Sequence, residues 1–266
     1  MFGFDAYSPR EIAERVNQFA AAKAKLPTLT LTLLGILAGA FIGLGAMLFT
    51  LVASDASLGF AAQRLLGSLV FSLGLMLVVI AGAELFTGNN LLAMAWASGR
   101  VSTAQVLRNW CVVGVANFVG AVGMAWLVWM SGHTNLNHGA VAKAATAIAL
   151  AKLSIPYGEA FFRGVLCNVL VCMAVWMAIA GRSVTDRVLA VVFPVTAFVA
   201  AGFEHSIANI YFFALAWWLG APIGVAAIAQ NLALVIAANL VGGSVLVALV
   251  FWAIYLRPAT DSRDAP

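Results

Sequence analysis

The chain has 266 residues, 64% hydrophobic and 9% charged, with a mean hydropathy of +1.02 and a formal net charge of +4. Ordinary soluble domains carry roughly 25% charged residues, so the composition excludes a soluble globular class and points to a chain that crosses a bilayer several times. The basic residues are scattered, with no arm or stripe, which excludes a nucleic-acid-binding face.

Residues 1–27 read as an amphipathic segment in which Ser8-Pro9 and Arg10-Glu11 predict a helix start. They lack the apolar run and cleavage site of a signal peptide. A membrane-crossing helix needs about 20 apolar residues. Such runs predict six spans, at about 28–52, 62–83, 107–131, 158–180, 187–219 and 224–256. The second stops at Glu84-Leu85-Phe86-Thr87-Gly88-Asn89-Asn90 and resumes as a short apolar piece, about 91–97. Between the third and fourth, Ser131-Gly132-His133-Thr134-Asn135 is turn-rich. The Ala-rich stretch after it, interrupted by Lys143, is predicted to lie along the outer surface. The fifth run is too long for one crossing and reads as two half-helices around Glu204-His205-Ser206-Ile207-Ala208-Asn209.

Charge orients the spans. With both ends cytoplasmic, that side holds Arg10, Arg15, Lys23, Lys25, Arg100, Arg108, Arg182, Arg187, Arg257 and Arg263. Arg64, Lys143, Lys152 and Arg163 fall on the other side, the bias the positive-inside rule requires. Each set of three spans runs whole, broken, whole, so the two sets form an inverted repeat. Gly35, Gly39 and Gly43, like Ala116 and Gly120, recur every four residues and allow close helix contact within or between subunits. Cys111, Cys167 and Cys172 lie in apolar runs without metal-site spacing and read as small packing residues.

Polar groups at membrane depth are costly and default to function. Broken backbone there is tolerated only where it is buried in protein or lines a cavity. Paired breaks in the two halves therefore point to a transport pathway. The domain boundaries follow: the N-terminal cytoplasmic segment 1–27, one transmembrane channel domain over 28–256, and a cytoplasmic tail, 257–266. Asn168, Val171, Cys172 and Val175 share one face of the fourth span. Asn168 and Asn209 either tie helices together or line a lumen. His205, inside a break, is the one side chain there whose charge changes near neutrality. The alternative for it is a structural histidine satisfied by a carbonyl. His133 and His138 read as solvated loop residues. Glu84 and Glu204 are expected to hold the breaks by accepting backbone N–H bonds rather than to touch an anion.

Three segments carry a resemblance to a known family: Glu84-Leu85-Phe86-Thr87-Gly88, Cys167-Asn168 with Leu170 to Met177, and Gly202-Phe203-Glu204-His205-Ser206-Ile207-Ala208-Asn209. With Phe4-Asp5 and the run Leu37 to Gly45, they resemble the signature segments of the formate/nitrite transporter family, in order, from residue 4 to about 256. The resemblance implies an all-α membrane protein with an aquaporin-like fold, six transmembrane helices in two inverted three-helix repeats, and broken second and fifth helices. It implies a homopentamer in the bacterial inner membrane, each protomer passing small monovalent anions such as formate or nitrite. It places His205 at the pore midpoint and Thr87 in a mobile cytoplasmic loop. Phe71 and Phe198 match an outer constriction, and Leu75, Leu85 and Phe86 an inner one, with Val171 on the same pore stripe as Asn168. Lys152 matches an anion-attracting lysine, and Asn168 and Asn209 match polar pore residues. Gly88-Asn89-Asn90, Ser206 and Phe212-Phe213-Ala214-Leu215 lean toward nitrite-type members.

Physics supports that assignment independently. A bare anion in an apolar throat costs several kcal/mol, whereas a neutral acid crosses cheaply. A lysine outside, half-helix N-termini and a histidine able to donate a proton make a coherent path, with proton coupling through His205. A water or small neutral solute channel is the rival, and hydrosulfide or lactate are alternative cargoes. No Asn-Pro-Ala occurs in the sequence, and the prolines avoid both breaks. An enzyme would need converging ligands or a His-Glu-x-x-His motif, neither of which is present. No cofactor or metal is expected.

Overall fold

The computed structural model describes residues 7–257 and is all-helical. The expectations for Phe4, Asp5, Arg263 and the tail beyond 257 lie outside the described residues. Ser8 caps α1 (Pro9–Ala24) as its sequence predicts, with the Ser8 and Glu11 side chains each bonding the other's backbone N–H. The spans follow as α2 (Thr28–Ala53), α3 (Phe60–Phe71) running through Ser72 into α4 (Leu73–Ala81), α6 (Thr103–Met130) and α8 (Tyr157–Ala180). A 3₁₀ turn, Gly88–Leu91, and the short α5 (Leu92–Ala97) follow the first break. The last span is α11 (Val225–Leu240), a π-helical segment Val241–Leu249, and α12 (Val250–Tyr255). Five of these helices are long and apolar enough to cross a bilayer. The remaining long run is split, as expected, into α9 (Val184–Ala200) and α10 (Ser206–Trp218).

Three expectations change. The stretch after residue 139 is not interrupted at Lys143: it is a continuous helix, α7 (Ala140–Leu153), which buries Val141, Ala145 and Ala149 against α10 and α2 and leaves its other face exposed. Lys143 does not interrupt it because its side chain points outward. His133, expected to be solvated, is partly buried with Nε2 lacking a hydrogen-bond partner among the described residues, and burial pushes its pKa below the usual histidine value. Cys111 is exposed rather than a core residue; Cys167 and Cys172 are buried.

The two halves repeat one another down to single contacts. A Cβ at Gly120 of α6 would strike the Ile36 carbonyl of α2, and one at Gly242 would strike the Val165 carbonyl of α8. Only glycine lets those backbones meet. Because α1 also packs on α12, the two described ends of the chain lie at the same end of the bundle, as an even number of crossings requires.

Candidate functional site

Both breaks begin alike. Gly82 ends α4 and Gly202 follows α9, each in the left-handed region, at φ 81° and 72°. After the turn, Glu84 N–H donates to the Leu34 carbonyl at 3.2 Å and Glu204 N–H to the Arg163 carbonyl at 3.3 Å. A buried asparagine then does what a helix would otherwise do for the backbone. Asn117 Oδ1 accepts from Phe86 N–H at 2.8 Å, while its Nδ2 donates to the carbonyls of Gly35 (2.8 Å) and Glu84 (2.9 Å). Asn239 does the same in the other half. It accepts from Ser206 N–H at 3.0 Å and donates to the carbonyls of Gly164 (2.8 Å) and Glu204 (3.0 Å).

The carboxylates play a different part from the one expected. Neither Glu84 nor Glu204 accepts a backbone N–H among the described hydrogen bonds. Glu84 Oε2 accepts from Asn89 Nδ2 at 2.7 Å and Oε1 lies 3.1 Å from Lys23 Nζ. Glu204 Oε2 accepts from Asn209 Nδ2 at 2.7 Å and Oε1 lies 2.8 Å from Lys152 Nζ. A buried carboxylate without such a cation would be far more costly. The second halves of the networks also match, because Asn89 and Asn209 reach Asn109 and Asn231, whose amides bond the Lys23 and Lys152 carbonyls. One difference remains. Lys23 also bonds Asn89 Oδ1 at 3.2 Å, whereas Asn209 Oδ1 has no partner among the described residues.

Each network opens on a cavity. A cavity of about 450 Å³ is lined by Lys152, Glu204, His205, Phe71 and Phe198. Another, of about 170 Å³, is lined by Lys23, Asn89, Leu75 and Leu85. His205, which lines the first cavity, and Thr87, next to Gly88 of the second, join the two breaks through His205 Nε2 and Thr87 Oγ1 at 3.0 Å. His205 also caps α10, accepting the Ala208 N–H on Nδ1 at 3.2 Å. With Nδ1 occupied as an acceptor, the neutral ring carries its proton on Nε2 and donates it to Thr87. A second proton would have to displace the cap. Phe198 stacks on the imidazole, with centroids 6.0 Å apart, and meets Phe71 edge-on at 6.1 Å.

The remaining sequence-derived residues line neither cavity. Asn168 is fully buried and borders neither cavity; its Nδ2 donates to the Asn90 side chain and the Asn239 carbonyl, at 2.7 Å each, and to the Thr87 carbonyl at 3.3 Å. Val171 and Phe86 are likewise buried in the core and line neither cavity, Phe86 beside Gly114 of α6. Asn209 belongs to the Glu204 network. The sequence expectations missed Lys23, Asn109, Asn117, Asn231 and Asn239. The signal for the asparagines was there: Asn109 and Asn117 stand eight apart in one closing span, as do Asn231 and Asn239 in the other.

Comparison with known proteins agrees with this geometry. The sequence profile described as "Formate/nitrite transporter" matches residues 10–253. The chain is 35% identical to the "Formate channel FocA" of Escherichia coli (strain K12) over 274 residues, covering 96% of each. It is 40% identical to the "Formate channel FocA" of Haemophilus influenzae over 207 residues, 77% of this chain and 73% of that protein. Among solved structures, an "FNT family ion channel" superposes with a TM-score of 0.84 at 33% identity, covering 92% of this chain and 98% of the other. A "Pentameric formate channel with formate bound" gives 0.80 at 36% identity, covering 86% and 98%.

Proposed function

The chain belongs to the formate/nitrite transporter family, and from that membership we propose that it is a multi-pass membrane channel whose cargo is formate, assembled as a homopentamer with one pore per protomer. The observation that carries the proposal is the pair of lysine-lined cavities, one lined by His205 and the other by Leu85 and Gly88, which flank Thr87, the partner of His205. Formate is preferred over nitrite because the two relatives at 40% and 35% identity described above are named as formate channels. Both termini face the cytoplasm of a bacterial inner membrane, so the Lys23 cavity is the inner vestibule and the Lys152 cavity the outer one. The basic residues support that orientation: Arg15, Lys23 and Arg187 line the inner cavity, and Arg64, Lys152 and Arg163 the outer.

Lys152 draws the anion toward the floor of the outer vestibule. Leaving water for the apolar constriction at Phe71 and Phe198 disfavours its charge and raises its affinity for a proton. Formate takes that proton from the solvent-connected vestibule and passes as formic acid. The Nε2–H of His205 and the Thr87 hydroxyl give it hydrogen bonds at the narrowest point. Leu75 and Leu85 keep the next segment dry, and Lys23 receives the anion once it loses the proton. Glu84 and Glu204, with Asn168 and Asn209, hold the breaks and the surrounding helices in place. His205 acts here as a neutral donor, since protonating Nδ1 would break the α10 cap.

Uptake into proteoliposomes, comparing formate, nitrite, lactate, hydrosulfide and glycerol, tests the assignment. Formate should enter fastest, and glycerol no faster than into protein-free vesicles. Preferential passage of glycerol would favour a neutral-solute channel, and of nitrite a nitrite-type one.

A further inference from the structure

The vestibule beside His205 is larger than formate requires. Its volume of about 450 Å³ falls within the range of cavities that enclose drug-sized ligands, about 300–1,000 Å³. Phe49, Phe60, Phe71, Phe198, Phe203 and Phe212 form much of its wall. Three cations reach it, and two are already paired: Lys152 with Glu204 and Arg163 with Glu159, each at 2.8 Å. Arg64 differs. Its guanidinium makes no hydrogen bond or ion pair with any described residue and sits 5.8 Å from the centroid of the Phe60 ring.

The surroundings hold that cation over the cavity. Gln63 Nε2 donates to the Ala53 and Asp55 carbonyls at 3.1 Å each, which fixes the first turn of α3 against the end of α2. Across the cavity Gly202 adopts φ +72°, and a Cβ there would lie 3.2 Å from Arg64 Nη2. The missing side chain leaves the guanidinium room. A planar fork with unused donors suits a carboxylate or sulfonate. The phenylalanine walls suit an apolar body attached to it. Below, Phe71 meets Phe198 edge-on and narrows the way to the throat.

We propose that this vestibule binds monovalent anions bearing a ring or short chain too bulky for the throat, with the anionic group on Arg64 and the apolar part against the phenylalanines. Such anions plug the channel from that side. A second negative charge is disfavoured, because Glu204 lies at the floor and Glu159 is paired to the lining Arg163. The inference rests on the cavity being an entrance to the formate pore.

Benzenesulfonate is a suitable probe, since it is fully ionised and does not cross lipid as a neutral acid. Two readouts are taken on the full-length protein: inhibition of formate flux in proteoliposomes with the probe on both sides, and calorimetric binding to the detergent-purified channel. Benzenesulfonate should bind and inhibit, while neutral benzenesulfonamide does neither at the same concentration. Arg64→Gln should raise both Kd and the half-inhibitory concentration about tenfold, the size expected of one hydrogen bond to a charged group, and Arg64→Lys should recover part of that loss. Absence of binding to wild type, equal potency of the sulfonamide, or an unchanged Kd in Arg64→Gln would each overturn the proposal. Should the protein carry no formate, the functional assignment fails, and calorimetry still decides whether the Arg64 site exists.

Discussion

Replacing Asn239 by alanine should destabilise the protein more than any ordinary helix-facing substitution. Asn239 accepts from Ser206 N–H and donates to the Glu204 carbonyl, both in a break that is almost fully buried. Removing the side chain strands both groups. Each stranded buried polar group costs about 1–3 kcal/mol, so the pair costs on the order of 2–6 kcal/mol. Side-chain hydrogen bonds between membrane helices average only about 0.6 kcal/mol, because an unfolded segment finds other partners. That lower figure does not apply here, since the break's backbone has no helical partner to return to. Asn117→Ala should cost a similar amount, because its bonds are the same in the other half. Asn135→Ala, on an exposed turn, should stay within about 0.5 kcal/mol. Unfolding by sodium dodecyl sulfate, followed by tryptophan fluorescence, reads all three. An Asn239→Ala loss no larger than the Asn135→Ala loss would refute the clamp.

Lys23→Met strands the buried Glu84 carboxylate and should cost about 3–5 kcal/mol, the usual price of breaking a buried ion pair. Glu84→Gln in the same chain should recover most of it, and failure to recover would mean that Lys23 acts through packing alone. Gly120→Val drives a side chain into the Ile36 carbonyl and should lower stability by about 1–3 kcal/mol or more, read by the same unfolding curves. Asp186 is held below the usual carboxylate pKa by hydrogen bonds from the Ser183 backbone and hydroxyl and the Arg182 backbone. Its contribution is therefore present above the unfolded value of about 3.9 and is lost as pH falls through the lowered folded value. Asp186→Asn should flatten that acid limb of the stability profile, and an unchanged limb would assign it to other groups.

The spans and both breaks were legible because hydropathy and misplaced polar residues report membrane depth directly. His205 was legible as a pore candidate for the same reason, and its position between the breaks follows from capping α10. The asparagine clamps were not. A mid-span asparagine announces a hydrogen bond but not its partner, and only the repeated eight-residue spacing links Asn117 to Asn239. Lys23 read as a topology signal because a lysine at the end of an interfacial helix normally faces water, whereas here it pairs with Glu84. The continuity of α7 was not legible because Lys143 looked like an interruption, although one outward residue in a helix interrupts nothing. Phe86 and Val171 carried no local signal for which neighbour they would face. That depended on helix rotation, which packing sets.

Passage of formate as a neutral acid past a His205 that stays uncharged is tested most directly by counting protons. Vesicles containing the channel and a trapped pH-sensitive dye are given a formate gradient, with protein-free vesicles setting the lipid leak. Channel-dependent formate entry should acidify the lumen by about one proton per formate, the value neutral-acid passage dictates, with no membrane potential. His205→Phe should slow both together. Formate entry that builds a potential while luminal pH stays constant would contradict neutral passage and show that the anion crosses with its charge intact.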